Sequence, residues 1–252
     1  MNPTNPINSI TQKLSIGWFA TSRGTTSLKI FNYIYDAISK GKLKAEIKFV
    51  FINRELGEGE NSDKFINVIR NYNIPIFCLS SLKFLPELRK INLYEWREKF
   101  DQKVYELIKE FKVDIIMLAG YMLILSEFLC KKFTFINLHP ALPWGPKGTW
   151  QEVINEIIEE RHKEHGVMIH IVTEDLDRGP VLTYCRFPII EYNFDKIRQE
   201  GVKYELPLVK KTLELLSTGK LKVVDRKIIY EGNLLENGLE IPVDELLSID
   251  SG

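Results

Sequence analysis

The chemistry-bearing segment of this chain is an apolar run that ends in Asn137-Leu138-His139-Pro140. Alternate residues of a strand face the same side, so Asn137 and His139 share one face at the carboxyl end of that strand. Pro140 has no N–H with which to continue a ladder, and it fixes the exit. A carboxamide donor beside an imidazole suits stabilising a developing oxyanion and moving a proton. The same spacing also suits a strand-end turn with a hydrogen-bonded surface histidine. Downstream, an apolar stretch containing His170 runs into Thr173-Glu174-Asp175-Leu176-Asp177-Arg178-Gly179-Pro180. Asp177 is either a turn residue or a carboxylate partner for His139. As a partner it would orient the ring and favour its protonated form.

A second loop has a different character. Ser22-Arg23-Gly24-Thr25-Thr26-Ser27 follows the apolar run Ile16–Ala20 and leads into a helical pattern. Hydroxyls, free backbone N–H groups and a helix N-terminus favour an anion, and Arg23 adds a bidentate cation, so a phosphate fits here. The competing reading is an N-capped helix start. The loop matches neither GxGxxG nor a Walker A motif, because Gly24 is its only glycine, and this disfavours a Rossmann dehydrogenase. His162 and His165 have no further ligand at metal spacing, so no metal is expected. Trp144 and Lys147 sit in a Pro/Gly-rich loop after His139. They are candidates for a pocket wall and an anion contact, or a core residue and a solvated lysine.

The elements that must position these residues follow from the pattern of apolar runs. Ile16–Ala20, Ile47–Ile52, Val113–Ala119, Phe133–Leu138, Val167–Val172 and Val181–Ile190 are nearly continuous, as in strands buried on both faces of a parallel sheet. Between them, Leu28, Phe31, Ile34 and Ile38 form a helical stripe, as do Trp96, Phe100, Val104 and Leu107. Val153, Ile154 and Ile157 form another, and Leu206, Val209, Leu213 and Leu216 a fourth. Strands alternating with helices predict an α/β fold, with a mostly parallel central sheet and helices on both faces. Ligands of such sheets bind at the carboxyl ends of strands, where both loops lie. After Lys220 the pattern gives a strand at Leu221–Val224, a turn, a strand at Ile228–Tyr230 and a polar tail.

Composition excludes other classes. The 252 residues include 34 basic and 34 acidic side chains and 44% hydrophobic residues. That length suits one large domain or two small ones. Balanced charge argues against a protein that grips a nucleic-acid backbone. Three cysteines in no CxxC pair suit a reducing cytoplasm. Met1–Gln12 lacks the basic start and apolar stretch of a secretory signal. The longest apolar run, Ile115–Leu125, is shorter than the ~20 residues of a membrane span.

Taken together, Asn-x-His-Pro and the later His170-Ile171-Val172-Thr173-x-x-Leu176-Asp177-x-Gly179-Pro180-Val181 resemble the folate-dependent formyltransferase family. Leu118-Ala119-Gly120-Tyr121-Met122-Leu123-Ile124-Leu125-Ser126 is similar to its folate-pocket segment. The likeness covers about residues 15–222, leaving 1–14 as an extension and 223–252 as a strand hairpin and polar tail. It implies a Rossmann-like fold and small-molecule substrates: 10-formyltetrahydrofolate as donor and a phosphorylated primary amine as acceptor. Glycinamide ribonucleotide, of purine biosynthesis, is the first acceptor implied. A sugar-nucleotide amine, or a non-catalytic folate- or nucleotide-binding module, is the alternative. It also implies that Asn137 and protonated His139 hold the oxyanion, that Asp177 assists proton transfer and that His170 supports them. Met122, Leu123, Ile124 and Leu125, with Thr173, Glu174 and Asp175, would enclose the pterin. Ser22, Arg23, Gly24, Thr25, Thr26, Ser27, Gly120 and Pro140 would hold the acceptor and its phosphate. The sequence departs from the family around the acceptor: Leu123 stands where an Arg is common, and segment 80–95 is longer. The family's amine-binding glutamate aligns with Val202, leaving Glu200 and Glu205 as neighbouring candidates.

Overall fold

The computed structural model describes residues 13–173 and 176–248. In chain order its elements are β1 (Leu14–Ala20), α1 (Thr26–Ser39), β2 (Ala45–Ile52), α2 (Glu60–Asn71), β3 (Ile76–Cys78), α3 (Pro86–Ile91), α4 (Leu93–Ile108), β4 (Ile115–Leu118), α5 (Glu127–Lys132) and β5 (Phe135–His139). There follow α6 (Trp150–Glu159), β6 (Glu164–Ile171), β7 (Val181–Pro188), α7 (Phe194–Ser217), β8 (Leu221–Val224), β9 (Lys227–Tyr230), β10 (Asn233–Leu235), β11 (Leu239–Glu240) and α8 (Val243–Ser248). The chain forms two compact units, which divide at Ile136/Asn137.

The unit of residues 13–136 holds four strands in the order β4-β1-β2-β3, all parallel. Its strands are largely apolar because helices cover them; β1 is nearly completely buried, and β2 is polar only at Glu46 and Lys48 near its start. Aromatic rings fill this core: Trp18 meets Phe31 edge-on at 5.2 Å between centroids, and Phe19 packs on Phe51 at 4.8 Å. Helix α1 turns Ile30, Phe31 and Ile34 inward; Phe31 and Ile34 belong to the stripe read in the sequence, whereas Leu28 and Ile38 of that stripe are half-buried and Ile30 was not read.

In the unit of residues 137–252, β5 is followed across the sheet by β6, β7 and β11. β6 and β7 are antiparallel, whereas β11 joins β7 in parallel. Strands β8, β9 and β10 form a separate antiparallel sheet, so the segment read as a hairpin and polar tail also contains β10, β11 and α8. Helix α6 starts with a full capping box between Thr149 and Glu152, and packs Val153, Ile154 and Ile157 against Ala141 and Ile197. The α/β class with mostly parallel strands flanked by helices is therefore present. Among the described residues no helix is long and apolar enough to cross a membrane.

Candidate active site

The unit of residues 137–252 gathers four of the chemistry-bearing side chains. Asn137 is half-buried and His139 is 3% exposed at the end of β5. His170 lies near the end of β6, where the pairing with β7 slips between Ile169 and His170. Such a bulge re-aims the side chain that follows it. Asp177 comes from the loop between β6 and β7, with φ 53°, a left-handed conformation that Asp tolerates better than most residues. Two contacts shape that loop. Ile171 N–H donates to Pro180 O at 2.8 Å, and a Cβ on Gly179 would lie 1.8 Å from Ile171 O, so only glycine fits.

Asp177 faces both imidazoles. Its Oδ2 lies 3.6 Å from His139 Nδ1 and its Oδ1 lies 3.6 Å from His170 Nε2. Gly148 N–H donates to Oδ2 at 3.2 Å. The Ile171 carbonyl, 2.9 Å from His170 Nδ1, can only accept, so Nδ1 carries the proton. In the neutral ring Nε2 then accepts from Asn137 Nδ2 at 3.3 Å. His170 thus orients the Asn137 amide and leaves its second N–H for another acceptor. His139 Nε2 lies 3.3 Å from Pro146 O. The carbonyls of Pro143 and Gly145 in the same loop accept from Arg178. Neither the Pro146 carbonyl nor the Gly148 N–H was legible in the sequence, because backbone groups leave no trace in residue type.

Electrostatics correct one expectation. Asp177 does favour the protonated ring of His139, as expected, but the protonated ring implied by the resemblance is not the net outcome. Burial instead outweighs the carboxylate, and the His139 pKa falls below its usual value despite Asp177 and the Pro146 carbonyl, with His170 and Arg178 opposing the charge as well. Burial pushes the Asp177 carboxyl up, but the facing His139 and the Gly148 N–H hold it below the usual range. The resting pair is a neutral imidazole beside an ionised carboxylate.

Other candidates fall elsewhere. Thr173 is half-buried in the loop before Asp177, and Glu174 and Asp175 lie outside the described residues. Pro140 is half-buried just beyond β5. Glu205 is buried and paired with Arg198, while Glu200 holds Lys203 and Tyr204, so both carboxylates already have partners. Trp144 is 56% exposed and packs edge-on against Tyr184, and Lys147 is exposed. A cavity of about 80 Å³ lies behind this loop among Trp144, Pro146 and His165, without Asn137, His139 or Asp177 at its walls. His165 is buried against Phe187, and His162 lies on Glu160 at 2.9 Å. Among the described residues no group of His, Cys, Asp and Glu is arranged to hold a metal.

The unit of residues 13–136 carries the remaining candidates. Thr21 links two loops at the carboxyl ends of β1 and β4: its N–H donates to Gly120 O at 3.1 Å and its Oγ1 accepts from Met122 N–H at 2.8 Å. Gly120, with φ 71°, approaches Ser27 so closely that a Cβ would lie 2.4 Å from its Oγ. Ser22 adopts φ 54° and donates to Asn61 O, while Asn61 Nδ2 donates to Arg23 O at 2.8 Å. Arg23, Gly24 and Thr25 are exposed, Thr26 is half-buried and Ser27 is buried. The N-cap residue Thr25 makes no side-chain capping bond to α1, so the first N–H groups of that helix are not claimed by its own cap. Met122 and Ile124 face outward, Leu123 is half-buried and Leu125 belongs to the core.

Residues 23–205 match the model of the formyl transferase family. The chain is 29% identical over 196 residues to the phosphoribosylglycinamide formyltransferase of Dictyostelium discoideum, covering 73% of this chain and 91% of that protein. With the Escherichia coli enzyme of the same name it shares 26% over 206 residues, covering 80% and 88%. In fold it is similar to the solved phosphoribosylglycinamide formyltransferase of Coxiella burnetii, with a TM-score of 0.74 at 22% identity over 92% of this chain and 100% of that one.

Proposed function

The chain belongs to the formyl transferase family, and on that premise we propose that it transfers the formyl group of 10-formyltetrahydrofolate to the primary amine of glycinamide ribonucleotide, in purine biosynthesis in the cytoplasm. One observation carries the mechanism: Asn137, His139 and His170 meet around the buried, ionised Asp177.

The amine nitrogen bonds to the formyl carbon and gives a tetrahedral oxyanion. The second N–H of Asn137, its amide held by His170, donates to that oxygen. His139 rests neutral, and a neutral imidazole is the form that accepts the proton the attacking amine must lose. Asp177, 3.6 Å away, then stabilises the imidazolium. The bond from the formyl carbon to folate N10 breaks, and the proton passes to that nitrogen. No serine or cysteine nucleophile is needed. In the 13–136 unit, Ser22–Ser27 at the start of α1, with Gly120, suits the acceptor phosphate, and the backbone of Met122–Leu125 suits the pterin. In the other unit, the loop from Thr173 to Asp177 takes the pterin role and Pro140 borders the acceptor.

The deciding experiment is a formyl-transfer assay with 10-formyltetrahydrofolate, comparing glycinamide ribonucleotide with sugar-nucleotide amines. Transfer to glycinamide ribonucleotide is expected. Transfer to the sugar substrates alone would overturn the acceptor. Folate binding with no transfer to any amine would favour a binding module.

A further inference from the structure

Within the unit of residues 13–136, helix α4 buries Trp96, Phe100, Val104 and Ile108 and, among them, one charged side chain, Asp101, 2% exposed. An acid in such a face is costly unless its oxygens are satisfied. Ser126 N–H donates to Asp101 Oδ2 at 2.5 Å, a short, charge-assisted bond, and the Ser126 side chain bonds the same carboxylate. Ser126 is itself buried, and its Oγ caps α5 by accepting from Leu129 N–H at 3.4 Å. One residue of α4 therefore fixes the point at which the chain leaves the loop after β4 and enters α5.

The other end of that loop has its own anchor. Thr21 is completely buried, and its Oγ1 accepts from Met122 N–H at 2.8 Å. Between the two anchors lie Met122, Leu123, Ile124 and Leu125, in neither helix nor strand. Leu125 turns into the core, while Met122 and Ile124 face outward. Among the described residues no hydrogen bond holds the backbone of Leu123, Ile124 or Leu125. Backbone groups left this way are open to a ligand's donors and acceptors. They present a fixed pattern to it only where the ends of the segment are themselves fixed.

The charge on Asp101 does not serve the fold. Burial raises its pKa from 3.8 to about 6, against the bonds from Ser126, with Glu98 adding to the rise and Arg97 opposing it. Tyr121, the loop residue before Met122, is buried too, and its pKa is raised by burial and then by the Asp101 charge, with Arg54 opposing. The folded chain thus holds the Asp101 proton more tightly than an unfolded chain, whose carboxyl titrates near the ordinary value. The stability this group contributes is complete below about 3.8 and is lost as pH rises through about 6. At neutral pH the carboxylate is ionised at the expense of stability, yet it grips the loop end.

We infer that Asp101 is a positioning residue for the folate donor: with Thr21 it fixes the two ends of the Met122–Leu125 segment, whose backbone meets the pterin. The inference rests on the pterin role proposed above for that segment. Asp101 acts through Ser126 and has no part in the transfer steps themselves.

The full chain is compared with Asp101→Asn, Asp101→Ala and Thr21→Val at neutral pH. Tetrahydrofolate is titrated by calorimetry, kcat and the KM for 10-formyltetrahydrofolate are measured, and thermal melts are recorded. Asp101→Asn keeps an oxygen for the Ser126 N–H and loses the charge. It should bind tetrahydrofolate more than three-fold more weakly, with a matching rise in KM, kcat within two-fold and a melting temperature at or above wild type. Weaker folate binding at undiminished stability is what a merely structural residue would not give. Thr21→Val and Asp101→Ala should weaken folate binding in the same direction, and Asp101→Asn and Thr21→Val decide where Asp101→Ala fails to fold. Tetrahydrofolate affinity within three-fold of wild type in Asp101→Asn overturns the inference. So does weaker binding accompanied by a lower melting temperature, since damage to the fold would give that. A wild-type chain that binds no tetrahydrofolate overturns the pterin reading itself, and this inference with it.

Discussion

Replacing Asp177 by Asn tests the proposed proton path at its centre. The side chain keeps its shape and an oxygen for the Gly148 N–H at 3.2 Å. It loses the one charge that faces both histidines, each at 3.6 Å. Opposite unit charges at that separation attract by about 4–5 kcal/mol at an effective dielectric of about 20. An Asn dipole replaces some of this, so about 2–3 kcal/mol of imidazolium stabilisation is lost. Because His139 rests neutral, the loss falls on the state in which the ring carries the transferred proton, not on the resting protein. The expected result is a roughly 30- to 150-fold lower kcat with little change in KM. Removing the carboxylate also lowers the His139 pKa further, so the acid limb of the kcat profile moves to lower pH while the plateau falls. The measurement is kcat and KM between pH 5 and 9, with a thermal melt as a folding control. A plateau within three-fold of wild type, or an acid limb displaced upward, refutes the reasoning.

Three further perturbations follow from the same structure. Asn137→Ala removes the oxyanion donor and should lower kcat by about 10²–10³-fold, about 3–4 kcal/mol. Its melting temperature should stay near wild type, because the side chain is half-buried at a strand end; near-normal turnover would remove Asn137 from the mechanism. His165 has its pKa pushed down to about 4, chiefly by burial and then by His139, from an unfolded value near 6.5. The unfolded chain therefore binds the extra proton first as pH falls, so stability is complete above about 6.5 and about 3 kcal/mol is lost by about 4. His165→Leu should flatten that part of the acid-unfolding curve, and an unchanged slope would contradict the assignment. Gly179→Ala drives a Cβ into the Ile171 carbonyl, which must move the loop bearing Asp177. It should lower both melting temperature and kcat, and an unperturbed melt would show that the loop yields freely.

Much of the framework could be read from residue order because it depends on local pattern. The continuous apolar runs became β1, β2, β4, β5, β6 and β7, and the stripes became α1, α4, α6 and α7. The segment between β2 and α4 was not read. Strand β3 is only Ile76–Cys78, too short for periodicity to register, and the apolar positions of α2 are diluted by Asn, Asp, Lys and Arg. Strand β11, Leu239–Glu240, exists because it pairs with Thr183 and Tyr184 of β7, a partner that local sequence cannot announce.

The sequence by itself pointed to the reaction class through a resemblance, that of Asn137-x-His139-Pro140 and the motif around Asp177 to the formyltransferase family. It also determined the α/β class, because burial of both sheet faces writes continuous apolar runs. Only the tertiary structure decided that Asp177 sits between two imidazoles and that His170 holds the Asn137 amide. It alone decided that His139 rests neutral. The physical reason is common to all of these: contacts between distant segments, and the balance of desolvation against a charge at 3.6 Å, depend on distances in space that residue order does not contain.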